Sequence, residues 1–348
     1  MSPRYLILAE GFSGDPHYGK TMWGVLRYRR EDVVAILDTS RAGETTDGVP
    51  VVGSVNDALC FGPDTALVGV ATQGGRFPPA WIELLKSCLS KRLSIENGLH
   101  VFLSDEPEFV ELARRHGAEL RDLRKPPPDL STATGENLEI PATIVLTVGS
   151  DCAIGKMTAT CELDLEARRR GLRSVFVPTG QTGIAIGGWG ISVDAVVSDF
   201  LAGAAEQLVV EGYRRGGEIL WVEGQGAITH PVYSGVTLGL MHGSAPHLYV
   251  LCHEAGRTHV EGAGGGPHPL LPLAELVELH ERISLPLRPA TVACVALNTR
   301  ALDEDEARAA IAEAEQETGL PADDPVRFGA GRLVDAVLAR APAAITAA

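Results

Sequence analysis

The sequence lacks both a long apolar run and any closely spaced pair of cysteines. Near the start, only a five-residue apolar run precedes Glu10, whereas a membrane-spanning helix needs about 20 such residues. The six cysteines form no C-x-x-C pair, so neither a disulfide framework nor a zinc knuckle is predicted. We therefore expect a soluble, cytoplasmic protein with reduced cysteines, no membrane partner and no metal site.

Positive charge is scarce as well. The net charge is -15, whereas binding to nucleic acid depends on clustered Lys and Arg that neutralise phosphates. Nucleic acid is therefore excluded as the expected partner, and a small molecule is favoured. The chain has only five lysines, and two of them, Lys20 and Lys156, stand in Gly-Lys dipeptides at predicted helix starts.

The pattern of strands and helices predicts two α/β domains. With 348 residues, 45% of them apolar, the chain is long enough for two cores. Apolar strands alternate with helices in both halves, as in mostly parallel, helix-covered sheets. The proline-rich stretch at 125–141 reads as a linker, so we place a Rossmann-like domain at 1–135 and a second domain at 136–348. The clearest predicted helices cover 20–28, 79–90, 106–116 and 198–214.

The run IVLTVGSDCAIGKMT predicts a phosphate-binding loop in the second domain. A buried strand ends at Val148 and a helix begins at Lys156, so loop amides and the helix N-terminus converge on an anion that Lys156 bridges. Five residues separate the two glycines, one more than in the common P-loop pattern. The predicted loop comprises Gly149, Ser150, Asp151, Cys152, Ala153, Ile154, Gly155, Lys156, Met157 and Thr158.

The segment GSDCAIGKMT resembles the G-T-D-x-x-V-G-K-T loop of dethiobiotin synthetase and its relatives, which implies a P-loop NTPase-like domain. One position departs from that resemblance. Met157 follows the lysine where a Mg²⁺-binding hydroxyl is expected, and the hydroxyl comes one residue later, at Thr158. This favours a loop that grips a pyrophosphate, as in coenzyme A, over metal-assisted phosphoryl transfer.

The first domain contains a second Gly-Lys motif, GDPHYGKT, at 14–21. Its strand stops near Glu10, and Pro16 removes an amide that a phosphate would need. We interpret the motif as a helix cap or the lining of an interdomain cleft, with phosphate binding as the alternative. Asp38 ends the second strand where a Rossmann domain holds a ribose, but no G-x-G-x-x-G accompanies it, which favours a vestigial nucleotide fold.

Five further side chains are candidates for chemistry or binding. Glu223 ends a buried strand in LWVEGQG, which resembles the V-E-G-A-G-G segment of the dethiobiotin synthetase group, where the glutamate helps to hold metal or substrate. It could instead act as a general base or pair with a local arginine. His230 is a candidate proton acceptor or a structural histidine. Arg257 and Arg76 are candidates for binding substrate carboxylates.

Asn298 resembles the purine-contacting asparagine of the same P-loop group. Histidines 253, 259 and 268 lie in a glycine-rich segment, but their spacing does not match H-E-x-x-H. We therefore assign them no metal. With Glu223 and His230, Lys156 completes the predicted catalytic set.

Several segments together resemble a bacterial P-loop family long described as of unknown function. They are AEGFSGDPHYGKTMWGVLRY, IENGLH, VGSDCAIGKMT, PTGQTGI, VEGQGAITHP and LMHGSAPH. Some members of that family are D-glutamate N-acetyltransferases that work with an enolase-type racemase. The resemblance implies acetyl-CoA at the loop, an acidic amino acid as acceptor and Glu223 or His230 as base, and we expect a homo-oligomer. Two alternatives stay open: an ATP- and Mg²⁺-dependent ligase or kinase that activates a carboxylate, and a non-catalytic nucleotide sensor.

Overall fold

The computed structural model describes residues 2–15, 18–71, 75–262 and 266–342. It is an α/β structure with mostly parallel sheets, as the sequence predicts. The chain divides into two compact units. One comprises Met1–Pro126 with Gln181–Ala195, and the other comprises Pro127–Gly180 with Val196–Ala348.

The first unit is built on a seven-stranded sheet with the order β3-β4-β2-β1-β5-β6-β7. Its strands are β1 (Tyr5–Leu8), β2 (Val33–Leu37), β3 (Thr45–Thr46), β4 (Val49–Val52), β5 (Thr65–Val68), β6 (Ser94–Asn97) and β7 (Leu120–Asp122). All neighbours are parallel except β3 and β4. The chain order reverses between β1 and β5, which is the switch point of a Rossmann-like sheet.

Helices of the first unit follow the strands in sequence. They are α1 (Lys20–Tyr28), α2 (Val55–Ala58), α3 (Pro79–Ser90) and α4 (Pro107–His116). The bounds of α1 and α3 coincide with the predicted helices. Apolar residues of β1 are fully buried, in keeping with a strand covered on both faces.

One element of the first unit comes from far along the chain. Helix α6 (Gln181–Gly187) packs against α1. The Thr21 and Thr182 hydroxyls are 2.9 Å apart, and Arg29 Nη1 donates to the Ala185 carbonyl over 2.9 Å. Part of the glycine-rich segment 178–190 is thus a helix of this unit.

The second unit has a six-stranded parallel sheet with the order β13-β12-β11-β8-β10-β9. Its strands are β8 (Thr143–Gly149), β9 (Ser174–Val177), β10 (Ile219–Val222), β11 (Leu248–Glu254), β12 (Thr291–Asn298) and β13 (Ala322–Asp323). The helices are α5 (Lys156–Arg169), α7 (Ser198–Arg214), α8 (Ser234–Ser244), α9 (Leu273–Arg282), α10 (Glu304–Thr318) and α11 (Gly331–Leu338). All seven residues of the central strand β8 are buried.

Packing around β8 fixes the edge of the sheet where the candidate site lies. On one face, Val145, Trp221 and Val250 from three neighbouring strands form a core with α5 and α11. Because β8, β10 and β11 are parallel, their carboxyl ends meet at the same edge. Among the described residues, no helix has the length and apolarity that a membrane crossing requires.

His247 fixes the start of β11 beside β8. Its Nδ1 accepts the Ile144 amide over 3.0 Å, and its own amide donates to the Ile144 carbonyl over 2.8 Å. Burial and the positive charge of Arg288 lower the pKa of His247 to about 4, from an ordinary 6.5. The folded protein therefore holds this imidazole neutral.

We expect this histidine to make the protein less stable at acidic pH. Its contribution is complete above pH 6.5 and is lost as pH falls to about 4, because the unfolded chain binds the proton first. The loss should reach on the order of 2 kcal/mol. Urea unfolding across this range should show a smaller pH dependence for His247→Asn than for the wild type, while the exposed His242→Asn control should follow the wild type. Equal pH dependence in all three proteins would contradict this role.

Candidate functional site

The loop between β8 and α5 has the geometry of a phosphate-binding loop. Strand β8 ends at Gly149 and α5 begins at Lys156, as the sequence predicts. Gly155 caps the helix with a φ of 105°, a conformation that favours glycine. Ala153 has a φ of 54°, which is unusual for a residue with a side chain. The loop is therefore held in a tight, specific turn over the end of the sheet.

Lys156 is folded inward across this loop. Its side chain is buried, and Nζ donates to the Asp151 carbonyl over 2.6 Å. Burial lowers the pKa of this ammonium. An anion bound at the loop would stabilise the charged form of Lys156, as expected for a phosphate-binding lysine.

The carboxylate of Asp151 is fully buried and organises the loop. Its Oδ1 accepts the Cys152 amide over 2.7 Å. Its Oδ2 accepts Arg257 Nη1 and the Glu261 amide, each over 2.9 Å. Asp151 thus connects the loop to the segment that follows β11.

Arg257 is surrounded by acidic groups of the protein. Its guanidinium contacts the carboxylates of Asp151, Glu254 and Glu261 and donates to the Cys152 carbonyl over 3.3 Å. Arg300 also lies 3.4 Å from Glu254. Any ligand that binds Arg257 must therefore replace or share one of these carboxylates.

The hydrogen bonds of His230 identify the tautomer of its neutral ring. Nδ1 accepts the Val232 amide over 3.1 Å, so the neutral ring carries its proton on Nε2 and donates it to the Glu261 carbonyl, 3.2 Å away. Neither nitrogen then offers a free lone pair to a substrate proton. In this arrangement His230 holds the backbone of Glu261.

One group of possible metal ligands occurs within the described ranges of the chain. Ligand atoms of Asp151, Cys152 and His230 lie within 4.8 Å of one another. However, His230 Nε2 carries the proton, and burial, with a contribution from Asp151, raises the pKa of the Cys152 thiol to about 11. Because metals bind deprotonated imidazole nitrogen and thiolate, a metal at this group would have to displace both protons.

Glu223 lies directly after β10, next to the end of β8. Its Oε2 accepts the amides of Thr179 and Gly180 over 2.9 and 3.1 Å. The Gly224 amide donates to Thr147 Oγ1 over 2.9 Å, and a Cβ at Gly224 would lie 1.7 Å from the Thr147 carbonyl oxygen. The V-E-G sequence therefore lets the two strand ends approach closely and fixes the carboxylate through one oxygen.

Asn298 ends β12 and reaches the phosphate-binding loop. Its Nδ2 donates to the Ile154 carbonyl over 3.3 Å, and its Oδ1 accepts the Arg300 amide over 3.2 Å. Met157 and Thr158, in the first turn of α5, are both half-buried. The predicted loop residues, Asn298 and Arg257 therefore form one connected cluster in the second unit.

The structure also shows a histidine pairing that the sequence analysis missed. Ser150 is buried, and its hydroxyl lies 2.8 Å from Nδ1 of His253. Burial lowers the pKa of His253, which is consistent with a neutral ring. These residues lie at the ends of β8 and β11, which are neighbours in the sheet. The sequence does not reveal that strand order, so it gives no signal for the contact.

Arg76 belongs to the first unit. Its exposed side chain lines a cavity of about 430 Å³ together with Phe77, Ile82, His100 and Val101. None of these residues belongs to the cluster around the loop. Binding of a substrate carboxylate by Arg76 stays a prediction.

The Gly-Lys motif of the first unit lies partly outside the described residues, which omit Pro16 and His17. In the described part, the Met22 amide at the start of α1 donates to the Gly69 carbonyl over 2.9 Å. Asp38 accepts the amides and hydroxyls of both Ser13 and Ser40. These groups already bind the protein itself, and the roles of the motif and of Asp38 stay predictions.

Family models match both units of the chain. A model described as a domain of unknown function, DUF1611_C P-loop domain, matches residues 131–334, and one described as DUF1611_N Rossmann-like domain matches residues 38–126. The chain belongs to the DUF1611 family. A crystal structure of a DUF1611 family protein from Anabaena variabilis is 41% identical, with a TM-score of 0.88 over 97% of this chain and 99% of that one.

Two curated relatives of the chain carry a functional name. A protein named D-glutamate N-acetyltransferase from Tritonibacter scottomollicae is 38% identical over 338 residues, covering 96% of this chain and 98% of its own length. A second protein of that name, from Pseudoalteromonas sp., is 33% identical over 283 residues, covering 81% and 83% of the two chains. The chain is thus similar to the first relative almost from end to end and to the second over about four fifths of its length.

We expect Lys156→Ala to weaken the binding of coenzyme A and of ADP by about tenfold or more, because a charge-assisted contact to phosphate is lost. Calorimetric titration with each nucleotide measures the effect. Lys125→Ala, which removes an exposed lysine of the first unit, is the control and should bind like the wild type. Unchanged affinity in Lys156→Ala would mean that the loop does not bind phosphate.

Proposed function

We propose that this DUF1611 protein is an N-acetyltransferase that moves acetyl from acetyl-CoA to the amino group of an acidic amino acid, D-glutamate. The observation that carries the proposal is similarity along 96% of the chain to a relative named for this activity. The loop around Lys156 is consistent with it, since coenzyme A contains an ADP unit whose phosphates suit such a loop.

In this proposal the loop binds the phosphates and does not take part in the chemical step. Loop amides and the Lys156 ammonium balance their charge, and Asn298 is the candidate contact for the adenine base. The acetyl group is then carried by the pantetheine arm. The loop contributes to affinity and position rather than to bond making.

Glu223 is the favoured general base. The acceptor must lose a proton from its α-ammonium before its nitrogen can attack, and a carboxylate at the edge of the sheet can take that proton. His230 is less suited, because its Nδ1 already accepts the Val232 amide. The two amides on Glu223 Oε2 would hold the carboxylate in position.

The reaction balances without another reactant. The amine nitrogen attacks the acetyl carbonyl, and a C–N bond forms as the C–S bond breaks. The nitrogen loses two protons in all: one passes to the departing thiolate and the other goes to solvent. Backbone amides are the expected donors to the oxyanion of the tetrahedral intermediate.

An ATP-dependent ligase is the second candidate, favoured by the resemblance of the loop to that of dethiobiotin synthetase. It requires Mg²⁺ beside the phosphates. The residue after Lys156 is Met157, which has no oxygen to bind the ion, so the residues fit this group poorly. Acetyl transfer has no such requirement.

A free-thiol assay with acetyl-CoA and D-glutamate, with and without EDTA, tests the proposal against its alternative. We expect thiol release that depends on D-glutamate and persists in EDTA, together with N-acetylglutamate detected by mass spectrometry. Substrate-dependent ADP release from ATP and Mg²⁺, without thiol release, would instead establish the ligase. Nucleotide binding with neither product would indicate a sensor.

We expect Glu223→Gln to reduce kcat by about 100-fold or more, the range of a general base, while the KM for acetyl-CoA changes little. Glutamine still offers an oxygen to the two amides, so the fold should be kept. Glu278→Gln, an exposed change on α9, is the matched control. Should Glu223→Gln retain full kcat, another group must be the base.

A further inference from the structure

We propose that Arg257 is a phosphate ligand of the loop, and that the Glu261 carboxylate competes with the phosphate for its guanidinium. This inference deepens the proposed function and rests on its phosphate-binding loop. It assigns Arg257 to the phosphate end of the ligand rather than to the carboxylate of the acceptor. It also gives Glu261, which the sequence did not single out, a role in setting affinity.

The contacts of Arg257 place it at the loop itself. Its Nη1 donates to the Asp151 carboxylate over 2.9 Å and to the Cys152 carbonyl over 3.3 Å. The Lys156 ammonium donates to the carbonyl of the same aspartate over 2.6 Å. Two cationic side chains thus meet at one loop residue, and a phosphate beside Lys156 lies within reach of the guanidinium.

The three carboxylates around Arg257 differ in how firmly they are held. The Asp151 side chain is 0% exposed and that of Glu254 is 12% exposed, whereas that of Glu261 is 53% exposed. Removing a partner from a buried carboxylate is costly, but an exposed ion pair contributes little. A competing anion therefore displaces Glu261 first.

Only the side chain of Glu261 needs to move. Its amide donates to Asp151 Oδ2 over 2.9 Å, and its carbonyl accepts from His230 Nε2 over 3.2 Å. These backbone contacts keep the segment in place when the carboxylate turns toward solvent. Arg257 can then exchange one oxyanion for another without exposing Asp151.

Charge explains why the exchange favours a phosphate. Asp151, Glu254 and Glu261 carry three negative charges, against three positive charges on Arg257, Arg300 and Lys156. An added phosphate is therefore repelled by the carboxylates unless one of them moves away. A phosphate offers Arg257 a stronger charge-assisted acceptor and approaches more easily once the Glu261 carboxylate has turned away.

The geometry of acetyl-CoA favours phosphate binding by Arg257 over binding of the acceptor's carboxylate. In acetyl-CoA the thioester lies at the far end of the pantetheine arm from the phosphates. An arginine that contacts two residues of the phosphate-binding loop belongs to the phosphate end. The acceptor amino acid must reach the thioester, so its carboxylates need other partners.

Titration calorimetry with inorganic pyrophosphate tests the inference without requiring any acetyl transfer. At fixed ionic strength, we expect Glu261→Gln to tighten binding about threefold, the scale of an exposed ion pair, and Arg257→Gln to weaken it about tenfold. In the double variant, Glu261→Gln should give no further gain, because its competitor is gone. Glu278→Gln removes the same charge from an exposed site on α9 and should leave the affinity unchanged.

Three outcomes would overturn the inference. The first is an unchanged affinity of Glu261→Gln for pyrophosphate. The second is a gain in pyrophosphate affinity from Glu261→Gln that is equally large in the Arg257→Gln background. The third is that Glu261→Gln binds D-glutamate more tightly while its affinity for pyrophosphate does not change. The last result would return Arg257 to the acceptor carboxylate.

Lys156→Ala distinguishes a failure of this inference from a failure of the proposed phosphate site. If it abolishes pyrophosphate binding while Glu261→Gln changes nothing, the loop stands and only this inference fails. If Lys156→Ala binds like the wild type, the proposed phosphate site itself fails. Arg257→Lys keeps the positive charge near Asp151 and replaces Arg257→Gln if that variant does not fold; it should bind pyrophosphate less tightly than the wild type.

Discussion

The candidate site depends on the hydrogen bonds and the ion pair that stabilise the buried carboxylate of Asp151. A fully buried charge needs compensation, and Asp151 obtains it from the Cys152 amide, the Glu261 amide and the Arg257 guanidinium. Those three donors come from the loop itself and from the segment after β11. The need to satisfy one charge therefore brings together two segments that are about 100 residues apart in the chain.

The parallel sheet makes this arrangement possible. Because β10, β8 and β11 are neighbours with parallel directions, Glu223, the loop and His253 all emerge at one edge. Close approach at Gly224 fixes Glu223 relative to β8, and the Ser150 hydroxyl meets His253 across the adjacent strand end. The backbone thus positions the polar groups, and their hydrogen bonds fix the orientation of each side chain.

These hydrogen bonds also separate the candidate roles. His230 and Arg257 both lie near the loop between β8 and α5. His230 forms hydrogen bonds with backbone groups, whereas Arg257 pairs with carboxylates that differ in solvent exposure. Glu223 is held through amides on one oxygen. The proposed base and the proposed exchange of partners at Arg257 are consistent with a ligand that is bound at one end and reacts at the other.

The sequence by itself determined the local elements: the strand before Gly149, the helix from Lys156 and the two-unit α/β organisation follow from apolar runs and glycine positions. The Asp303–Glu306 capping box that starts α10 is likewise local in sequence. The tertiary structure alone decided the partners of Asp151, the tautomer of His230, the pairing of Ser150 with His253 and the place of 181–187 beside α1. Those features depend on strand order and on which buried polar groups meet, and local propensity carries no information about either.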